Sequence, residues 1–198
     1  MITQEELESI QSSDESVRRA LANNPETSTE ALDKLSEDEN QFVRARVAAH
    51  INTSPETLDK LSKDESPFVR EFVAEHPNTK VETLIALSKD REVVSWVAGN
   101  ANTPVDILDT LSNDEDVFVK ISIAVNPSTT PEILNKLSKD EDENVRAAVA
   151  KNPIVPLDIL ERLSSDEHED VRKIVSEHPS RAIKPVYKQR NFKNILKK

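Results

Sequence analysis

The sequence predicts an all-α solenoid of about seven stacked two-helix repeats, on three observations. One register recurs along the 198 residues. A valine stands at 17, 43, 69, 93, 119, 145 and 171, at spacings of 26, 26, 24, 26, 26 and 26, and a fixed period of this length is the signature of stacked repeats. Each anchor also has the same neighbours. An apolar residue follows four later (Leu21, Val47, Val73, Val97, Ile123, Val149, Val175). Asn or His follows seven later, mostly before Pro (Asn24, His50, His76, Asn100, Asn126, Asn152, His178). Finally, there are eleven Pro and one Gly, which fits helices stopped by proline rather than hairpins turned by glycine.

The elements follow in order. Residues 3–12 read as an N-terminal half-repeat cap: Thr3 and Glu6 form a capping box, Ile2 and Leu7 a hydrophobic staple, and Leu7 and Ile10 an apolar pair. Residues 14–179 hold the seven repeats. The first helix of each starts three residues before its anchor at Asp14, Asn40, Ser66, Asp90, Asp116 or Asp142, side chains that bond the free amides of a first turn. His168 is the weaker cap of the seventh. About ten residues later the Asn/His-Pro step ends the helix. A second helix of about two turns, α or partly 3₁₀, opens at steps such as Ser54-Pro55-Glu56 and Thr130-Pro131-Glu132. Leucine pairs from Leu32/Leu35 to Leu160/Leu163 pin it, and Ser-x-Asp follows. Neither helix buries its apolar stripe alone, so the repeats must stack. Residues 180–198 read as a basic C-terminal cap or tail, with Ile183, Val186, Tyr187, Phe192, Ile195 and Leu196 available to close the stack.

The unit V-R-x-x-V-A-x-N-P-x-T-P-x-x-[IL]-L-x-x-L-S-x-D, best seen over residues 145–166, resembles the leucine-rich repeat variant family. The resemblance covers residues 3–179. It implies a right-handed superhelix with one layer of α-helices and one of short 3₁₀-like helices, not a β-strand horseshoe. HEAT repeats are the neighbouring architecture, with longer helices. The family's founding type carries a cysteine-ligated iron–sulfur module. This chain has no cysteine, so no cluster, redox role or other cofactor is expected.

Composition narrows the function. Hydrophobic residues make up 36% of the chain and charged residues 32%, a thin core for a globule of this size and ordinary for a solenoid. The absence of cysteine fits a reducing, cytoplasmic setting. No apolar run approaches the roughly 20 residues that span a bilayer, so no membrane role is expected. The net charge of −11 is uneven. Residues 180–198 hold seven basic and no acidic residues, leaving −18 on residues 1–179. Such a body repels nucleic acid, while the tail attracts it.

Four groups of residues are candidate sites. Arg18, Arg44, Arg70, Lys120, Arg146 and Arg172 follow their anchors by one. Asp38, Asp64, Asp114, Asp140 and Asp166 precede the last five of these cations by six. The row therefore reads as a structural ion-pair ladder, with Asp166 meeting Arg172. Repeat four is two residues short; there Val94 replaces the Arg, and Asp90 shifts into the cap position. The Asn/His column reads as helix-end bonding; no metal site is expected, because two imidazoles without a positioned carboxylate or thiolate hold a metal poorly. Five of the seven aromatic residues, Phe42, Phe68, Phe72, Trp96 and Phe118, sit one before or three after an anchor in the central repeats. The same positions are Ser16, Ala20, Asn144, Ala148 and Asp170 towards the ends. Framework positions are uniform, so variable ones carry individuality, and this strip is the candidate partner-binding surface. Fourth is the tail, where Tyr187 and Phe192 lie among cations. No catalytic constellation is legible. The reading is a non-enzymatic scaffold for a protein or peptide; the alternative is nucleic-acid association through the tail and the Arg row.

Overall fold

The repeat pattern becomes an alternation of long and short helices in a computed structural model that describes residues 1–182. The long helices are α2 (Glu15–Asn23), α4 (Gln41–Ala49), α6 (Pro67–Glu75), α8 (Val94–Gly99), α10 (Val117–Val125), α12 (Glu143–Lys151) and α14 (Glu169–Glu177). The short ones are α1 (Gln4–Ile10), α3 (Thr29–Leu35), α5 (Pro55–Leu61), α7 (Val81–Leu87), α9 (Val105–Leu111), α11 (Pro131–Leu137) and α13 (Leu157–Leu163). A final turn, α15 (Pro179–Ala182), follows α14 directly. Among the described residues there is no strand. The closing-cap residues Ile183, Val186, Tyr187, Phe192, Ile195 and Leu196, and the tail cations from Lys184 onward, lie outside the described residues.

Local chemistry sets the helix ends. Asp14, Asn40, Asp116 and Asp142 each accept the amide two residues on, at 2.7–2.8 Å. Ser66 and His168 occupy the same position without a side-chain cap bond; the Ser66 hydroxyl donates to Gln41 Oε1 instead, at 2.6 Å. Repeat four departs from expectation. Val93, not Asp90, is the residue before α8, and α8 has six residues where the other long helices have nine. The two missing residues fall after Asp90, which stays in register with Asp64.

The short helices are α-helical throughout their seven residues, not 3₁₀. From α3 to α13 each ends at the serine of Ser-x-Asp. The hydroxyls of Ser36, Ser62, Ser88, Ser112, Ser138 and Ser164 donate to the carbonyl three residues back, at 2.6–2.8 Å. Thr27, Thr53, Thr79, Thr103 and Thr129 donate to the carbonyl six residues back in the preceding long helix, at 2.5–2.6 Å. These bonds add acceptance at the last-turn carbonyls, where the intrahelical ladder runs out.

Consecutive long helices pack side by side, and each short helix packs on the long helix that follows it. The anchors from Val43 to Val171, the valine or isoleucine four later and the inner leucine of each pair are fully buried between the layers. The core divides in two at α8. Val93 and Val97 join the N-terminal cluster, Val94 and Ala98 the C-terminal one. At the start of the chain the Thr3–Glu6 capping box is formed. The Glu6 carboxylate also accepts the Ser28 amide at 2.7 Å, and these backbone donors, Ser28 first, lower its pKa to about 2.

Candidate binding surface

Three sets of side chains stand at repeated positions along the stack, and the fold uses them differently. The guanidiniums of Arg18, Arg44 and Arg146 are buried. Each grips an aspartate with two nitrogens: Asp38 at 2.6 and 3.1 Å, Asp64 at 2.6 and 2.9 Å, Asp166 at 2.8 and 2.9 Å. Arg70 reaches Asp90 at 2.7 Å and Lys120 reaches Asp140 at 2.8 Å. The partner is the aspartate twenty residues later, not the one six residues earlier. The earlier one supplies its backbone carbonyl, as Asp38 does to Arg44 at 2.8 Å. Asp166 therefore pairs with Arg146, and Arg172 takes the backbone carbonyls of Asp166 and Glu167 at 2.6 and 2.8 Å. Where Val94 replaces the arginine of repeat four, Arg91 supplies the cation to Asp114.

These pairs shift titration as their geometry requires. Arg146 foremost holds the Asp166 carboxyl below its usual range. At Asp64 burial raises the pKa, but Arg44 and the Ser66 amide more than offset it and leave it lowered. Guanidiniums so engaged offer little to a phosphate, so the row does not support the nucleic-acid alternative.

The Asn/His column is a second internal ladder. From His50 to His178 each side chain reaches back to a carbonyl of the preceding repeat: His50 Nε2 to Asn24 at 2.9 Å, Asn100 Nδ2 to Ala74 at 2.6 Å, Asn126 Nδ2 to Ala98 at 2.7 Å, Asn152 Nδ2 to Ala124 at 2.7 Å. Its other polar atom accepts the amide two residues on. For the histidines this pairing assigns a neutral ring, with Nδ1 accepting and Nε2–H donating. Burial lowers the His76 pKa. Among the described residues no group of three His, Asp or Glu side chains could hold a metal ion.

The aromatic set faces outward. Phe42 is 48% exposed, Phe68 39%, Trp96 42% and Phe118 73%, whereas Phe72 is half-buried against the N-terminal core. Their positions, one before and three after each anchor, lie four apart on a helix and so share a face. Ring contacts join only part of the set among the described residues: Phe42 meets Phe68 at 6.0 Å and Phe68 meets Phe72 at 5.1 Å, both edge to face. Trp96 and Phe118 stand apart. The sequence reading missed Ile51 and Val125, exposed by 62% and 50%. Val125 could have been found, since it lies seven residues after Phe118 on the same helical face.

No family model and no curated protein matches the sequence. Two designed armadillo repeat proteins, one solved with the peptide (KR)4, align at TM-scores of 0.36 and 0.35, with 18% and 19% identity. These alignments cover 88% and 86% of this chain and 97% and 95% of theirs. A solved leucine-rich repeat variant with a novel repetitive structural motif matches at a TM-score of 0.61 and 28% identity, over 85% of this chain and 67% of that one. Among the described residues this chain is an all-helical solenoid of paired helices, similar in structure to that leucine-rich repeat variant.

Proposed function

We propose that this chain is a non-enzymatic scaffold that binds a protein or peptide on the outward face of its central long helices, in a cytoplasmic setting. The observation that carries this reading is the exposure of Phe42, Phe68, Trp96 and Phe118 in four consecutive repeats. Large aromatic side chains left in water on one helix face are the composition of binding anchors. Nothing in the repeat requires them, because Ser16 and Asn144 fill the phenylalanine position and Ala20 and Ala148 the Trp96 position in other repeats. The repeated serines and histidines are spent on helix-end and inter-repeat bonds. Among the described residues no helix is long and apolar enough to cross a membrane.

The test is affinity capture with the purified chain as bait, beside a Phe68→Ala/Trp96→Ala variant whose thermal melt matches the original. Proteins recovered by the original and lost with the variant support the reading. Recovery unchanged by the variant counts against it.

A further inference from the structure

The surface beside Phe42 has a charge pattern that specifies its partner further. A depression of about 560 Å³ lies between repeats two and three, and Glu39, Phe42, Glu65 and Pro67 line it. The Glu39 and Glu65 side chains are each 90% exposed. Their nearest cations, Arg18 and Arg44, stand 3.5 and 3.6 Å away and commit their shorter 2.6 Å bonds to Asp38 and Asp64. The two glutamates thus keep most of their hydration and are open to a third cation. The depression continues into apolar surface, since Phe42 meets Phe68 and Phe68 meets Phe72. Glu71 and Glu75 flank that run on α6, with Arg46 on α4 as an opposing charge. Glu92 lies beyond them, 64% exposed and engaged by Arg70 at 3.0 Å. An aromatic floor between exposed carboxylates suits a side chain with an apolar stem and a cationic head, which gains both contact with the ring and charge pairing. The body's charge of −18 over residues 1–179 draws such a partner in at long range.

We infer that the Phe42–Phe68–Phe72 surface docks a basic peptide segment of a partner protein, one arginine or lysine entering between Glu39 and Glu65 and its apolar neighbours covering the phenylalanines. This rests on the scaffold reading above and names the chemistry of its partner.

Fluorescence anisotropy tests it with three labelled peptides, (Arg-Ala-Leu)4, (Gln-Ala-Leu)4 and (Glu-Ala-Leu)4, against the full chain. The arginine peptide binds best, and its affinity falls as salt rises. Glu39→Gln/Glu65→Gln weakens it about tenfold without moving the thermal melt, since both side chains are exposed. Phe42→Ala/Phe68→Ala weakens the arginine peptide too, and Glu8→Gln, remote from the surface, does not. Equal binding of the arginine and glutamine peptides, lost with the phenylalanine variant, overturns the basic-partner inference and leaves the scaffold reading standing. Binding of the arginine peptide that the glutamate variant leaves unchanged also overturns the inference. So does no binding of any peptide, in which case the capture experiment alone decides the scaffold reading.

Discussion

At the residue scale the ladders carry the sharpest consequences. Asp64 neutralises a buried guanidinium and also accepts the Ser66 amide at 2.9 Å. Removing one partner of a buried pair leaves the other charge unmet, which costs about 3–5 kcal/mol. Asp64→Ala is therefore expected to lower the unfolding free energy by that amount in urea titrations, while Glu65→Ala, one residue on and exposed, changes it by less than about 0.5 kcal/mol. His76 gives a pH dependence. Its ring is held neutral, and burial lowers its pKa from the ordinary 6.5. The stability that the neutral ring contributes is present above pH 6.5 and is lost as the pH falls from there through the lowered value, because the unfolded chain binds the proton first. His76→Asn keeps a donor and an acceptor in place, as Asn100 does one repeat later. Melting temperatures from pH 7.5 to 5.5 should therefore fall more steeply for the original than for this variant; parallel curves would remove the ring from the account. Both columns were legible in the sequence, but the ion-pair partner was not. An aspartate six residues before an arginine and one twenty residues after it differ by one 26-residue period, so periodicity cannot separate them. The geometry of stacking does, since side chains of one long helix reach the junction that leads into the next.

At the element scale, helix starts differ in quality, and the difference is measurable. Ser54 caps α5 by accepting the Thr57 amide at 3.1 Å. Lys80 holds the same position before α7 and makes no cap bond. Lys80→Ser should supply the missing acceptor for the Thr83 amide and stabilise the chain by about 0.5–1 kcal/mol, even though it gives up the exposed Lys80–Glu56 contact. A chemical melt of the single variant checks this; a destabilised variant would show that the exposed pair outweighs the cap. The same weighing explains Asp90. From spacing alone it could cap α8 from three residues before Val93, or pair with Arg70 from twenty residues after it. A cap contributes about 1 kcal/mol, and leaving a largely buried arginine unmet costs several times more, so the pair prevails and α8 starts late. The aromatic positions were legible as a face because helical spacing places them together. Their degree of exposure was not, since it depends on how closely neighbouring long helices approach: Phe72 tucks against the N-terminal core while Phe118, two long helices further along the stack, stands 73% exposed.

At the scale of the whole molecule, a stack of repeats is held only by nearest neighbours, so its cooperativity follows the continuity of its core. That core is interrupted at α8. Val93 and Val97 pack with Val69, Val73 and Leu87, whereas Val94 and Ala98 pack with Val119, Ile123 and Leu108. The polar ladders do cross the interruption, through Arg70 to Asp90 and Asn100 to Ala74. The crossing is weaker than elsewhere, because the Asp90 side chain is 25% exposed while Asp38, Asp64 and Asp166 are 5–7% exposed, and more water screens the pair. The halves are therefore expected to open as separate units. Val97→Ala and Val94→Ala alter neighbouring positions on one short stretch, each at a cost of about 2 kcal/mol. Hydrogen exchange read by mass spectrometry should assign them to different halves: Val97→Ala speeds exchange in α4 and α6, and Val94→Ala speeds it in α10 and α12. If both variants speed exchange evenly from α2 to α14, the stack opens as one body and the polar ladders, not the apolar clusters, set its cooperativity.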